Sequence, residues 1–195
     1  MKFLRSLLRW LLPVAKTWGD LVDSTKPKGF VEMRLVHARG PRKGEVARVI
    51  RGRNVVTGFL KEASTNDIYS GRDIMRRLIV PSTFAGALSD DVYKVSQVEL
   101  GSGNTAETSA DESLETPIAG SRKDISSVTF DATNTYVTFY VEYDESEVNT
   151  TITEAALRNQ SPNNGGDGDV LARKTFGSFT KTPEYILQIR WTLRI

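Results

Sequence analysis

The sequence predicts a mainly β protein with N-terminal helical segments: an antiparallel β-sandwich preceded by an amphipathic helical arm and a basic β-hairpin. The first reason is the last stretch, Tyr185 to Ile195. Tyr185, Leu187, Ile189, Trp191, Leu193 and Ile195 fall on one side of an extended chain, while Gln188, Arg190, Thr192 and Arg194 fall on the other. A face that is nearly all large and apolar needs an opposing layer to bury it. The second reason is that short runs of the same period recur between residues 92 and 195, separated by turn-rich segments. That spacing belongs to a small antiparallel sandwich. The third is that the first 54 residues follow a different grammar, helical at first and then strongly basic.

A chain of 195 residues is long enough for one domain with a substantial core, or a small domain with extensions. Three parts are expected: an amphipathic arm over 1–23, a basic hairpin and linker over 24–54, and a helix plus sandwich domain over 55–195. The absence of cysteine excludes disulfides, thiolate catalysis and Cys-ligated zinc. The net charge of +2 conceals a division along the chain. Residues 1–80 hold 17 Lys and Arg against 7 Asp and Glu, whereas residues 81–195 hold 9 against 17. Such asymmetry marks either contact with nucleic acid or membrane, or a basic end that meets an acidic surface of a neighbouring copy or partner. The second reading is preferred, because no nucleic-acid-binding motif accompanies the charge.

In the arm, Arg5, Ser6 and Arg9 share a narrow polar arc at helical spacing, and Phe3, Leu4, Leu7, Leu8, Trp10 and Leu11 fill the remainder. Arg5 and Arg9 interrupt the apolar run that a secretory signal needs, and the stretch is too short and too charged to span a bilayer. Pro13 ends or kinks the helix. A helix packed on its own domain, an arm docked in a partner's groove and a helix lying on a membrane all fit this pattern. The docking arm is preferred to the membrane, since a dedicated membrane helix carries more basic residues.

Phe30 to Val36 and Glu45 to Arg51 read as two strands around the turn-rich loop Arg39-Gly-Pro-Arg-Lys-Gly44. Both a solvated tip and a contact with an anionic surface remain open for this loop. Leu4, Leu7, Leu8, Trp10, Leu11, Arg39, Arg42 and Lys43 are therefore the candidate partner-binding residues. Residues 55–80 read as helix from Val55, Val56, Phe59, Leu60 and Ala63, with a break over 64–67 and a second short helix from Ile68 to Val80 carrying Arg72, Arg76 and Arg77. From there the strand candidates are 92–100, 125–130, 136–143, 151–157, 170–176 and 185–195. The turn Asp131-Ala-Thr-Asn makes a hairpin of the second and third.

No catalytic constellation is legible. His37 is the only histidine, so catalytic zinc sets with two or three His ligands are out, and no Ser-and-acid arrangement is readable around it. Gly101-Ser-Gly103 lacks the third glycine of a dinucleotide loop and reads as a turn. Asp167-Gly-Asp169 lacks the later Glu of a calcium loop. Asp111, Glu112 and Glu115 read as a solvated loop. No enzyme and no cofactor are expected.

The order of several short motifs carries a resemblance. These are Leu100-Gly-Ser-Gly103, Asp111-Glu-Ser-Leu114, Thr153-Glu-Ala-Ala-Leu157, Ala172-Arg-Lys-Thr-Phe176, Lys181-Thr182 and the Trp191-containing last strand. The chain resembles tailed-bacteriophage structural proteins of the tail-, neck- or fibre-associated kind. In that family a Leu-Gly-x-Gly turn, a D-x-x-L segment, a Thr-Glu-Ala-x-Leu strand, an Ala-Arg-x-x-Phe strand and a Lys-Thr turn follow in this order. Arg53-Asn-Val-Val-Thr57 is similar to its entry into the preceding helix. The likeness covers residues 53–195, and Ala156 stands where the family has glycine.

The resemblance implies a non-enzymatic virion component with a β-sandwich, often multimeric, assembled in the host cytoplasm. Its partners would be other virion proteins and copies of itself. A neck, tail or fibre-attachment protein docking through its N-terminal region is the first expectation, and a capsid decoration protein is the alternative. From other classes come a nucleic-acid-binding accessory protein using Arg39, Arg42, Lys43, Arg48, Arg51 and Arg53, which is disfavoured, and a carbohydrate module using Tyr136, Tyr140 and Trp191. Trp191 is assigned to the core. Glu154 and Arg173 are expected to pair across neighbouring strands.

Overall fold

The computed structural model of the chain describes residues 29–56, 95–131, 136–159 and 169–194. The 1–23 arm with Leu4, Leu7, Leu8, Trp10 and Leu11, the helices expected after Val56, and Asp167 lie outside the described residues. The described residues form nine strands: β1 Gly29–His37, β2 Val46–Val56, β3 Val95–Gly101, β4 Lys123–Asp124, β5 Ser127–Phe130, β6 Tyr136–Tyr143, β7 Thr151–Asn159, β8 Val170–Thr180 and β9 Tyr185–Arg194. The protein is mainly β and the pairing is antiparallel throughout.

The strands form one curled sheet in the order β4-β3-β7-β8-β2-β1-β9-β6-β5, where two packed sheets were expected. The curl brings the two ends of this order together. β4 pairs with β3 and β5 pairs with β6, yet only Ile125 and Ser126 separate β4 from β5. The Ile125 amide donates to Ser96 and the next amide, Ser126, donates to Tyr140, so one stretch of chain serves both edges. The Tyr143 hydroxyl of β6 reinforces the junction by reaching Val98 O of β3 at 3.2 Å and Ser121 O at 2.8 Å. Joining the edges in this way removes exposed ladder groups that would invite pairing with other chains.

Period-two alternation decides what lies inside. Leu187, Ile189, Trp191 and Leu193 of β9 are buried, as are Val137, Phe139, Val141 and Tyr143 of β6. Val31, Met33 and Leu35 of β1 join them, with Ile152, Ala155 and Leu157 of β7, in a single apolar core. Tyr185 packs against its margin. β1 lies between β2 and β9, and its register with β9 runs from Gly29 opposite Leu193 to His37 opposite Tyr185. The basic hairpin is therefore rooted in the middle of the sheet, and β2 runs through the division expected at residue 54.

Val55 and Val56 correct the helical reading at its start. They close β2 and pair with Arg173 and Ala172 of β8. Val56 buries its side chain in the core, and β-branched residues suit such a position. The ladder pairing of β2 with β8 consists of these two pairs. Towards its start β2 stands exposed, with Val46 and Val49 at 44% and 40%.

β7 is buried on both faces, which is why its run reads as apolar and charged together. Its inner side chains join the core. On its outer side Ala156 packs with Leu114 and Val170, under the long segment that links β3 to β4.

Candidate functional site

The outer side of β7 and β8 carries charged residues in positions that alternation would otherwise leave to solvent. Glu154 and Arg158 sit on β7 two residues to either side of Ala156, and Arg173 sits on β8 opposite Ala156. Each is buried. A buried charge is tolerated only when paired and hydrogen-bonded. Arg173 Nη2 lies 2.7 Å from Glu154 Oε2 and its Nε donates to the same oxygen at 3.0 Å, so the expected pair forms. Arg173 Nη1 reaches Asp111 Oδ2 at 2.9 Å.

Glu154 accepts more than the guanidinium. Its Oε1 receives the Gly103 amide at 3.0 Å and the Thr116 amide at 2.9 Å, and its Oε2 receives the Glu115 amide at 3.2 Å. One carboxylate thus grips both ends of the 103–116 segment. Glu115 then accepts the Asn104 and Thr105 amides at 2.6 and 2.8 Å, and these bonds hold its pKa below the ordinary range. Burial alone would raise the Asp111 pKa, but the Thr108 amide and Arg173 outweigh it and the net shift is downward. Glu107 bonds to Lys174 and to the Thr175 hydroxyl and amide; these bonds overcome its burial and bring its pKa down to about 2.

The expectation of a solvated acidic loop is corrected for Asp111, which is drawn onto Arg173, while Glu112 and Glu115 are exposed. The reason is geometric: a loop that must cover buried arginine on a sheet needs acceptors on its inner side. A second buried pair, Arg158 to Glu99 at 2.6 Å, is joined by Arg122 to Glu99 at 2.9 Å. Sequence reading missed Glu99, Arg158, Glu107 and Lys174. Opposite charges recurring at one phase of consecutive strands were the available signal.

The candidate partner-binding residues of the hairpin lie together at the β1–β2 turn. Gly40 and Gly44, at φ 78° and 86°, let the chain reverse there. Arg39 faces Glu145 at 3.8 Å, Arg42 Nε bonds Glu45 at 2.9 Å, and Lys43 is exposed. The turn is anchored below by Ala38 N to Glu184 O at 2.8 Å. Along β2, Arg51 bonds Glu32 at 2.6 Å, Arg48 lies 6.0 Å over the Phe179 ring, and Arg53 is exposed opposite Phe30. These six basic residues thus divide between the hairpin tip, with Arg39, Arg42 and Lys43, and β2, with Arg48, Arg51 and Arg53.

No family model, curated protein or solved structure matches the chain. The site must be read from its own chemistry.

His37 packs on Tyr185 with ring centroids 5.1 Å apart. Gly101 ends β3 and Gly103 turns the chain onto Glu154, so Gly101-Ser-Gly103 is a turn held by a carboxylate. Asp169 is tied to Asn159, through Asn159 Nδ2 at 2.9 Å. Trp191 is in the core, whereas Tyr136 lines a shallow groove with Thr129, Phe130, Thr138 and Thr192. Tyr140 stands on the same side of β6 and donates to Glu142; burial first, and that carboxylate second, push its pKa up to about 12. Among the described residues, no group of three or more His, Asp or Glu is placed to hold a metal ion, and no helix is long and apolar enough to cross a membrane.

Proposed function

We propose that the protein is a non-enzymatic structural component of a tailed-phage virion, a neck, tail or fibre-attachment protein that docks through its N-terminal region. The observation that supports this reading most directly is the division of labour among the charges. Glu99, Glu154, Arg158, Arg173 and Asp111 bind one another and the covering segment, which makes a stiff body. Arg39, Arg42 and Lys43, by contrast, stand exposed at the tip of a hairpin rooted in the centre of the sheet. A stiff body with a projecting basic tip suits attachment to an acidic surface repeated many times. In this reading the curled sheet serves as the expected sandwich, residues 1–23 form the amphipathic helical arm, and copies of the chain assemble with other virion proteins in the host cytoplasm.

The motifs behind the resemblance also have structural duties here. Gly101 and Gly103 lie against Glu154, Glu154 grips Arg173, and Trp191 fills the core. A likeness in such positions fits a shared fold more than a shared reaction. A capsid decoration protein satisfies the same observations.

Mass spectrometry and gold labelling of purified particles test the proposal. The expected result is label at the neck, tail or fibre base, lost when residues 1–23 are deleted or when Arg39, Arg42 and Lys43 are changed to alanine. Label spread over the capsid favours the decoration protein. Absence from particles overturns both.

A further inference from the structure

We propose that Lys181 and Asn149 join their side chains in an intramolecular isopeptide bond that staples the start of β7 to the end of β8. Lys181 follows β8 directly, and its side chain is wholly buried, at 0% exposure. It passes under the 144–150 turn between β6 and β7. Its Nζ lies 3.1 Å from Asn149 Oδ1, between residues 32 apart in sequence. A lysine this enclosed is rare unless it is paired with a carboxylate, and here the hydrogen-bond partner is a carboxamide.

The turn is built to present that carboxamide. Asn149 Nδ2 donates to Glu145 O at 2.8 Å, which fixes the amide's orientation and leaves Oδ1 towards the lysine. Val148 is held at φ 49°, a strained conformation for a β-branched residue, and it packs on the core. Lys181 N donates to Thr150 O at 3.0 Å, so the two backbones are also locked together. Both reactants are therefore fixed, with the amine one atom from the carbon it would attack. Such fixing replaces a bimolecular encounter by a local one, with effective concentrations that reach ~10⁵ M or more.

Burial lowers the Lys181 pKa and favours the neutral amine, against the opposing pull of Asp144, Glu147 and Glu145. These three carboxylates face Nζ from the turn. Arg39 in turn faces Glu145 and Lys123 bonds Glu147, so part of their charge is already met. The step balances without a co-reactant. The Nζ lone pair adds to Asn149 Cγ, the Cγ–Nδ2 bond breaks, and Nδ2 leaves as ammonia with the proton that Nζ gives up.

The full chain, purified and held folded at alkaline pH, tests this by intact mass and by proteolytic mapping. The expected wild-type product is lighter by one ammonia and yields a branched peptide joining the segments that contain Asn149 and Lys181. Lys181→Met and Asn149→Ala keep their sequence masses, and Asn149→Asp closes with loss of water instead. A wild-type chain that keeps its full mass, or that loses ammonia without the branched peptide, overturns the proposal. The wild-type measurement decides even where a variant fails to fold, and it is independent of any role in a virion.

Discussion

Glu154 and Arg173 sit diagonally on β7 and β8, and one carboxylate oxygen receives two guanidinium nitrogens at 2.7 and 3.0 Å. Neither side chain reaches water appreciably, and the same carboxylate caps three amides of the covering segment. The pair holds the 103–116 segment down on the sheet.

Removing the arginine alone strands a buried carboxylate. Arg173→Met is expected to cost about 3–5 kcal/mol in denaturant unfolding. Removing both partners does not restore stability, because the Gly103, Glu115 and Thr116 amides then lose their acceptor. A double-mutant cycle should give a coupling of about 1–3 kcal/mol between the two residues. Zero coupling would contradict the assigned contact.

Space around the turn glycines is already filled. A Cβ at Gly101 would stand 2.4 Å from Glu154 Oε1, and one at Gly103 would stand 2.5 Å from Glu115 Cβ. Gly101→Ala and Gly103→Ala should each lose about 1–3 kcal/mol as overpacking displaces the carboxylates. Gly177→Ala, where nothing lies within 4 Å, should stay within about 0.5 kcal/mol of wild type by the same unfolding curves.

Acid should loosen the covering segment. Glu107 titrates at about 2 in the folded protein against a reference of 4.5, and Asp111 is also shifted down. A depressed carboxylate contributes stability that is present above its unfolded pKa and lost as pH falls through its folded one. Melting temperature should hold from neutral pH to about 4.5 and then fall towards about 2. Glu107→Gln should flatten part of that fall; an unchanged profile would argue against its bonds to Lys174 and Thr175.

Trp191 offers a contrast of size with polarity. It is fully buried, and its Nε1 has no hydrogen-bond partner among the described residues. Trp191→Ala should cost about 3–5 kcal/mol through lost burial and a cavity. Trp191→Phe gives up no hydrogen bond and should cost less than about 1.5 kcal/mol.

The hairpin tip should behave oppositely to these interior sites. Changing Arg39, Arg42 and Lys43 together to alanine is expected to move unfolding by less than about 0.5 kcal/mol, since the tip is exposed. A large loss would show that the Arg39–Glu145 contact braces the fold.

Much of the strand content was legible because alternation is a local signal. The runs at 136–143 and 185–195 expose their buried face in plain period two, and the β1–β2 hairpin announces itself through a glycine- and proline-containing turn. Val55 and Val56 misled because two adjacent valines fit a helical stripe as well as a strand end; pairing with Arg173 and Ala172 settles them, and those residues are remote in sequence. The acidic loop was misread for a related reason. Asp111 looks solvated until Arg173, 62 residues later, is folded against it.

The sequence by itself determined the mainly β class and the side of β6 and β9 that turns inward, since side-chain period and turn chemistry depend only on near neighbours. Tertiary structure alone decided the strand order, the curl that joins β3 and β6 through Ile125 and Ser126, and the partners of every buried charge. Those outcomes depend on contacts between distant residues, and for a charged group such a contact decides whether burial is tolerated at all.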